Sequence, residues 1–544
     1  MTLSLLPDEC FNNILFFLDY KTLYKCLLVN RYYCKFSIPL IWRDPFIPPI
    51  PNKCSLINTL ISCLNDEEIS SLKSCLIYFE INNNTPPLFE YGRFIRKIDH
   101  DYCVNHINSW IKSKSSNKNI KNNNQDYYNN NNKDSKVRKL TSIIYNMIMR
   151  KGSNLQEFVL FINSRNYYID LPKFSIFTIY KPGITNLTSL SIEVYFDLVD
   201  DDKRYQNTIE FLSNVSKFCN CIINCEFWIS NLSNALTKPF LDIIKLQPLE
   251  RILIDTYTDN YIEKENVEKV IHALEFRSKT LKQLLFRSLD FQLIDLSFLS
   301  KLEYLENLEF VQCRGFVLQS LFYNKKFNFK QLKLWHDEDY YYDLLKDYGK
   351  KLSNIMVVML NSFCSKSLLK LSLNIITPDS INAVKLCCPY INSLNIKIFS
   401  DQSLDLIIPI ICHFNLLKTL KIEIYDGVVN IVNLVEILAD HLLFVEYLIL
   451  DFNIDLSSFQ YFIINCKANF KKWIIYIDNN NRKDYLLHVN NYQKIHNSLK
   501  ILGINKFYNR DFDWTNDELE VIGYLKDQGV DIISSDELDI NYLS

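Results

Sequence analysis

Residues 368–373 read LLKLSL, and the same phrase, apolar-x-x-apolar-x-apolar, returns as INSLNI at 391–396, LKTLKI at 417–422, VEYLIL at 445–450, FKKWII at 470–475 and LKILGI at 499–504. Successive starts lie 23, 26, 28, 25 and 29 residues apart. Looser copies precede them: LQEFVL from Leu155, LTSLSI from Leu187, LERILI from Leu249, LKQLLF from Leu281, LENLEF from Leu305 and FKQLKL from Phe329. The gap from Leu187 to Leu249 has room for two units, and a degenerate copy is expected near CNCIINC at 219–225. Alternation within the phrase predicts a short strand whose fourth and sixth residues point into a core. Stretches between phrases, such as 380–388 and 434–443, carry apolar residues every three or four positions, the period of a helix. One strand and one helix cannot bury both apolar faces alone, so units have to stack, with parallel strands on one side and helices on the other.

The pattern resembles the leucine-rich repeat superfamily over roughly residues 140–510. The resemblance is one of period rather than consensus. The Asn that follows the strand in many such repeats has no regular counterpart: Ile376 stands eight positions after Leu368, and Tyr425 eight after Leu417.

Composition narrows the function. A chain of 544 residues, 48% hydrophobic and 14% aromatic, has ample material for a large core. Its net charge of −2 supplies no overall positive field for a phosphate backbone or an anionic membrane, so neither nucleic acid nor membrane is expected as a partner. The most apolar long stretch, 434–450, is broken by Glu436, Asp440, His441 and Glu446. Only nine glycines occur, none closer than Gly523 and Gly529, which removes the Gly-rich phosphate loops. Asp8 and Glu9 interrupt any signal-peptide core, and 16 scattered cysteines read as reduced thiols, so a cytoplasmic or nuclear location is expected.

The amino end is the most apolar part: 25 of the 40 residues from Leu3 to Trp42 are hydrophobic. Pro7, with Asp8 and Glu9 behind it, starts a helix carrying Phe11, Ile14, Leu15 and Leu18 on one face. Cys10, Phe16 and Phe17 add apolar surface elsewhere. A second run holds Leu23, Cys26, Leu27 and Val29, and a third passes Tyr32, Tyr33 and Phe36 to Pro39. Three short helices of this kind expose more apolar area than about 40 residues can bury, which predicts docking on another polypeptide.

LLPDECFNNILFFLDYKTLYKCLLVNRYYCKFSIPLIWRDP resembles an F-box, through Leu6-Pro7, Glu9, Ile14-Leu15, Leu18-Asp19, Leu23, Val29-Asn30-Arg31 and Trp42-Arg43 in order and spacing. The resemblance implies a substrate-recognition subunit of a Skp1-cullin-F-box ubiquitin ligase. In that role Leu6, Pro7, Ile14, Leu15, Leu18, Leu23, Leu27, Val29 and Trp42 would meet a Skp1-like adaptor, and through it a cullin-RING ligase. The alternative is a leucine-rich-repeat scaffold working outside a ligase, with these helices as a cap on the repeats.

The fold class expected is therefore α/β, an N-terminal three-helix F-box followed by an irregular leucine-rich-repeat solenoid. Residues 1–45 form the adaptor-binding domain and 46–111 a linker and the start of the repeat domain, with Pro45, Pro48, Pro49 and Pro51 as a stiff spacer. The Asn/Lys-rich stretch 112–139 is expected to be disordered, 140–510 to be the solenoid, and 511–544 a C-terminal cap or tail. A client, not identifiable from the sequence, would bind outward strand residues: Tyr447, Ile449, Lys472, Ile474 and Tyr476 mix aromatic and aliphatic groups with charge. Packing of this row against residues 505–544 is the competing reading.

No cofactor and no catalytic machinery is expected. Cys219, Cys221 and Cys225 lack paired knuckles and a nearby His. The acidic runs Asp200-Asp201-Asp202 and Asp337-Glu338-Asp339 read as solvated loops, and the eight histidines form no hydrolytic motif.

Overall fold

A computed structural model describes residues 6–46, 53–75, 87–116, 126–163, 168–195, 205–229, 234–256, 264–316, 327–335, 356–374, 376–398, 404–424, 429–476, 481–505 and 514–534, apart from single positions. The chain divides into two compact units, Met1–Leu281 and Lys282–Ser544.

Unit 1 opens with α1 (Asp8–Phe16), α2 (Tyr20–Cys26) and α3 (Arg31–Ile41), then α4 (Lys53–Ser62) and α5 (Asp66–Cys75). Strand β1 (Lys97–Asp99) is followed by α6 (His100–Ser116) and α7 (Asp126–Arg150). Strands β2 (Glu157–Asn163), β3 (Ser189–Tyr195), β4 (Asn224–Ile229) and β5 (Arg251–Asp255) complete a parallel sheet in chain order. Unit 2 continues the pattern with β6 (Gln283–Arg287), β7 (Asn307–Val311), β8 (Gln331–Trp335), β9 (Lys370–Leu373) and β10 (Ser393–Ile398). Then come β11 (Thr419–Ile424), β12 (Tyr447–Asn453), β13 (Lys472–Tyr476), β14 (Ile501–Asn505) and β15 (Asp531–Ser534), each parallel to the one before. This is the parallel-strand ladder that the repeating strand-and-helix pattern predicts.

The phrase maps onto the ladder as its alternation requires. Each copy starts two residues before its strand, and its fourth and sixth residues are buried: Leu371 and Leu373, Leu394 and Ile396, Leu420 and Ile422, Leu448 and Leu450. The in-register pairs Leu371–Leu394 and Leu394–Leu420 stack these side chains into continuous rows. Helices cover the rows, as where Phe240 of helix Asn234–Leu246 stacks on Phe227 of β4 at 4.5 Å. The degenerate copy near 219–225 is β4, with Cys225 in the fourth position and buried.

Just before most strands, one carbonyl accepts two successive N–H groups of the next repeat. In unit 1 Gln156 accepts from Thr188 and Ser189 (2.8 and 3.0 Å), and Thr188 from Ile223 and Asn224 (2.9 and 3.1 Å). In unit 2 Asn392 accepts from Lys418 and Thr419, both at 2.9 Å. Arg43, two residues past α3, holds the same station toward β1, accepting from Arg96 and Lys97 at 2.8 and 3.0 Å. The three N-terminal helices are thus joined to the first rung of the ladder, reinforced by Lys97–Asp44 at 3.4 Å and by Trp42 against the Tyr91 ring at 4.4 Å.

Several boundaries differ from the sequence expectation. In unit 1 the first strand is β1, within the 46–111 stretch expected to hold the start of the repeats, and in unit 2 the last is β15, past residue 510. The first copy, IRKIDH at 95–100, hides because His100 takes the sixth, inward position. Burial is tolerated there because its Nδ1 is 2.9 Å from the Tyr145 hydroxyl and its Nε2 is 2.7 Å from the Ile169 carbonyl. The last strand hides because Gly529 and Ser534 stand where apolar residues normally would. Within 511–544, expected to be a cap or tail, the described residues form helix Asn516–Asp527 and strand β15.

The described residues of 46–111 form helices and carry the first strand of the ladder. Trp110 of α6 donates to Asn58 of α4 (2.7 Å), and Glu68 of α5 accepts from Asn146 and Arg150 of α7 (3.0 and 2.6 Å). Pro45 is buried, while Pro48, Pro49 and Pro51 lie outside the described residues. The 112–139 stretch is helical at both ends, through α6 to Ser116 and α7 from Asp126, with 117–125 outside the described residues. Val137, Leu140 and Ile144 are buried on one face of α7. That packing outweighs the few tenths of a kcal/mol per residue by which Asn disfavours a helix.

Candidate functional site

The N-terminal helices are built by local signals. Asp19 caps α2, accepting from the Thr22 N–H at 2.8 Å, and Asn30 caps α3, accepting from the Tyr33 N–H at 2.9 Å. Phe11 fills the centre, its ring 5.0, 4.9 and 5.4 Å from those of Tyr32, Tyr33 and Phe36. The Tyr32 hydroxyl donates to Asp8 at 2.9 Å, tying the start of α1 to α3. Phe11, Leu15, Leu23, Cys26 and Ile41 form the buried core.

This core separates the adaptor-contact residues expected from the sequence into two sets. Leu15 and Leu23 are buried inside the helical unit and help hold it together. Leu6, Leu18, Leu27 and Trp42 are half-buried, and Pro7, Ile14 and Val29 are exposed. Phe17 and Leu28, 86% and 88% exposed, present the most free apolar surface, joined by Phe16 and Tyr24. The i, i+3, i+4 spacing assigns Phe17 correctly to a face away from the core. Leu28 has no such signal, because it sits in the turn that closes α2, where Leu27, Leu28 and Val29 look alike in sequence. Each side chain of this size gains about 1.5–3 kcal/mol when buried, so this surface is a strong contact candidate.

On the outward face of the sheet, Tyr447, Ile449 and Tyr476 are partly exposed. Lys472 and Ile474, expected among the client contacts, are instead buried at 5% and 6% exposure. Burial also pushes the Lys472 ammonium below its ordinary range. Lys472 and Ile474 pair in register with Tyr447 and Ile449, and the register slips only beyond them, between Ile449 and Asn453, so that Tyr476 pairs with Asn453. Beside it, Lys421 bonds Glu423 and Asp451 at 2.8 and 3.4 Å. Burial opposes its charge, yet the two carboxylates outweigh burial and raise it.

The cysteine cluster has no metal-site geometry. Cys219 and Cys225 are buried and Cys221 is exposed. The Cys219 thiol donates to the Ile184 carbonyl at 3.0 Å, and burial pushes it up to about 12. Among the described residues no group of three His, Cys, Asp or Glu could hold a metal ion. The acidic runs at 200–202 and 337–339 lie outside the described residues. No helix among those residues is long and apolar enough to cross a membrane.

No protein-family model and no curated protein matches this sequence. Among solved structures the chain is similar to the leucine-rich repeat-containing protein LegL7 from Legionella pneumophila, with 11% identity and a TM-score of 0.33, over 68% of this chain and 98% of that one.

Proposed function

We propose that this protein is a non-catalytic recruiting subunit of a Skp1-cullin-F-box ubiquitin ligase, acting in the cytoplasm or nucleus. Its N-terminal helices dock on a Skp1-like adaptor and its repeats hold a client. The observation that carries the reading is the mismatch in the first helical unit: its core is closed around Phe11, while Ile14, Phe16, Phe17, Tyr24, Leu28 and Val29 remain exposed within one short stretch. Such surface is stable in water only at a solubility cost, and a partner removes that cost. The contribution to reaction is proximity. Holding a client beside a charged conjugating enzyme raises the effective concentration of its lysines.

The test is binding of the full chain to a purified Skp1-like adaptor. Phe17→Asp with Leu28→Asp should abolish binding and leave the circular dichroism spectrum unchanged, since neither side chain supports the core. Leu15→Asp should instead unfold the helical unit. Wild-type binding strength in the exposed double variant would sink the reading.

A second reading is favoured by the Arg43 carbonyl at the first rung of the ladder. The helices then cap the solenoid of an interaction protein outside any ligase. Under it, the purified adaptor fails to bind the wild-type chain, and deleting residues 1–44 exposes the edge of β1 and promotes association.

A further inference from the structure

We infer that the edge of unit 2 where chain passes from helix to strand, across β9 to β12, is a docking groove for an acidic segment of a partner protein bearing large apolar side chains. The third residue before each strand sits on this edge. Ahead of β10, β11 and β12 it is Tyr390, Leu416 and Phe444, all exposed. Ahead of β8, β9, β13, β14 and β15 it is Asn328, Ser367, Asn469, Ser498 and Gln528, all polar. Tyr304 ahead of β7 is the exception, and two polar repeats separate it from the three. Solvent would be met as well by polar groups, so three consecutive apolar residues at one station need another explanation.

The shape and charge supply it. Leu369, Tyr390 and Leu416 line an open groove of about 450 Å³, with Asn392, Lys366 and Lys418 beside them. Lys366, Lys370 and Lys418 make no ion pair among the described residues. The nearby acid, Glu446, is already held by Lys471 at 2.7 Å. The backbone is also committed, since the carbonyls of Leu369, Asn392 and Lys418 are occupied by the ladder. A ligand is therefore met by side chains, apolar groups together with ammonium groups that make no ion pair among the described residues. That combination complements carboxylates interleaved with aliphatic or aromatic residues. A groove open along successive repeats suits a polypeptide rather than an enclosed small molecule.

The inference deepens the recruiting role by naming where the client sits, and it is tested without the adaptor. A random peptide-phage library is selected on the immobilised full chain. Peptides of net negative charge with at least two large apolar residues should be enriched. Lys366→Glu with Lys418→Glu should weaken a selected peptide by about tenfold. Tyr390→Ser with Leu416→Ser should remove its binding, while the circular dichroism spectrum stays unchanged in both variants. Absence of enrichment, enrichment of neutral or basic peptides, or binding indifferent to either pair of substitutions would overturn the groove. Adaptor binding by the same variants is read separately, so loss of one surface is not mistaken for loss of the other.

Discussion

The third residue before the strand has different chemistry in the two units. In unit 1 it is Asn154, Asn186, Cys221 and Pro248 ahead of β2 to β5, and the Asn186 amide donates to Asn154 at 2.9 Å, one repeat closed upon the next. In unit 2 it is Tyr390, Leu416 and Phe444 over three repeats, pointing to solvent. The backbone following this station is similar in both, pinned by the shared carbonyl ladder. The fold thus dictates the path of the chain there and leaves the side chain open, which makes this station a place where function can vary without loss of the solenoid.

The distinction between dictated and open positions can be broken by experiment. The largest effect should come from a dictated one. Trp473 of β13 is fully buried, its ring 5.2, 5.5, 5.4 and 5.6 Å from those of Phe459, Phe462, Phe470 and Tyr492. Trp473→Ala should cost about 3–5 kcal/mol in denaturant unfolding. A cost under about 1 kcal/mol would mean that inward positions are no more constrained than edge ones.

The next effect sharpens the contrast through acid. Burial holds His100 down at about 4, against an unfolded value near 6.5. The folded state therefore binds fewer protons than the unfolded chain between these values. Stability is unaffected by this group above about pH 6.5 and falls as pH drops toward 4, by on the order of 3 kcal/mol in all. Asp44, Asp99 and Asp101, raised chiefly by burial, take up protons in the folded state and act in the opposite sense. The histidine contribution is isolated by comparing wild type with His100→Gln, whose unfolding should depend less on pH across this window. Equal slopes would remove His100 as the cause.

Grafting the unit 1 chemistry onto unit 2, through Tyr390→Asn, Leu416→Asn and Phe444→Asn, should change stability by no more than about 0.5 kcal/mol per site. Peptide capture should disappear. A loss of several kcal/mol instead would show that these residues belong to the core. Smallest of all, Asn186→Ala should cost roughly 0.5 kcal/mol, the scale of one exposed hydrogen bond, in the same unfolding measurement.

Much of the repeat array was legible because a strand buried on one face repeats every two residues and a covering helix every three or four. Thirteen strands follow from that alternation, β4 included despite its cysteine-rich phrase. The two end strands escaped it because His100 and Gly529 break the apolar code, and only partners distant in sequence, Tyr145 and Ile169, make the first of these substitutions tolerable. The helices α4 and α5 escaped for a related reason: their packing depends on α6 and α7, through Trp110–Asn58 and the Glu68–Arg150 pair.

Candidate surfaces were less legible than the core. Apolar character marks a side chain for removal from water but does not say what removes it. Leu15 and Leu28 are the same residue type, one enclosed by Phe11 and its neighbours and the other open to solvent. Ile449 and Ile474 occupy equivalent strand stations, yet one is partly exposed and the other buried.

The amino-acid order alone determined the period of the array, the direction in which each strand residue points and the existence of an apolar helical unit at the beginning. These depend on local geometry, where a residue's neighbours in sequence are also its neighbours in space. Tertiary structure decided where the ladder starts and stops, which apolar groups are spent on the core and which remain available to a partner. Those outcomes depend on contacts between residues tens of positions apart, and a linear pattern carries no record of which distant side chain fills a given space.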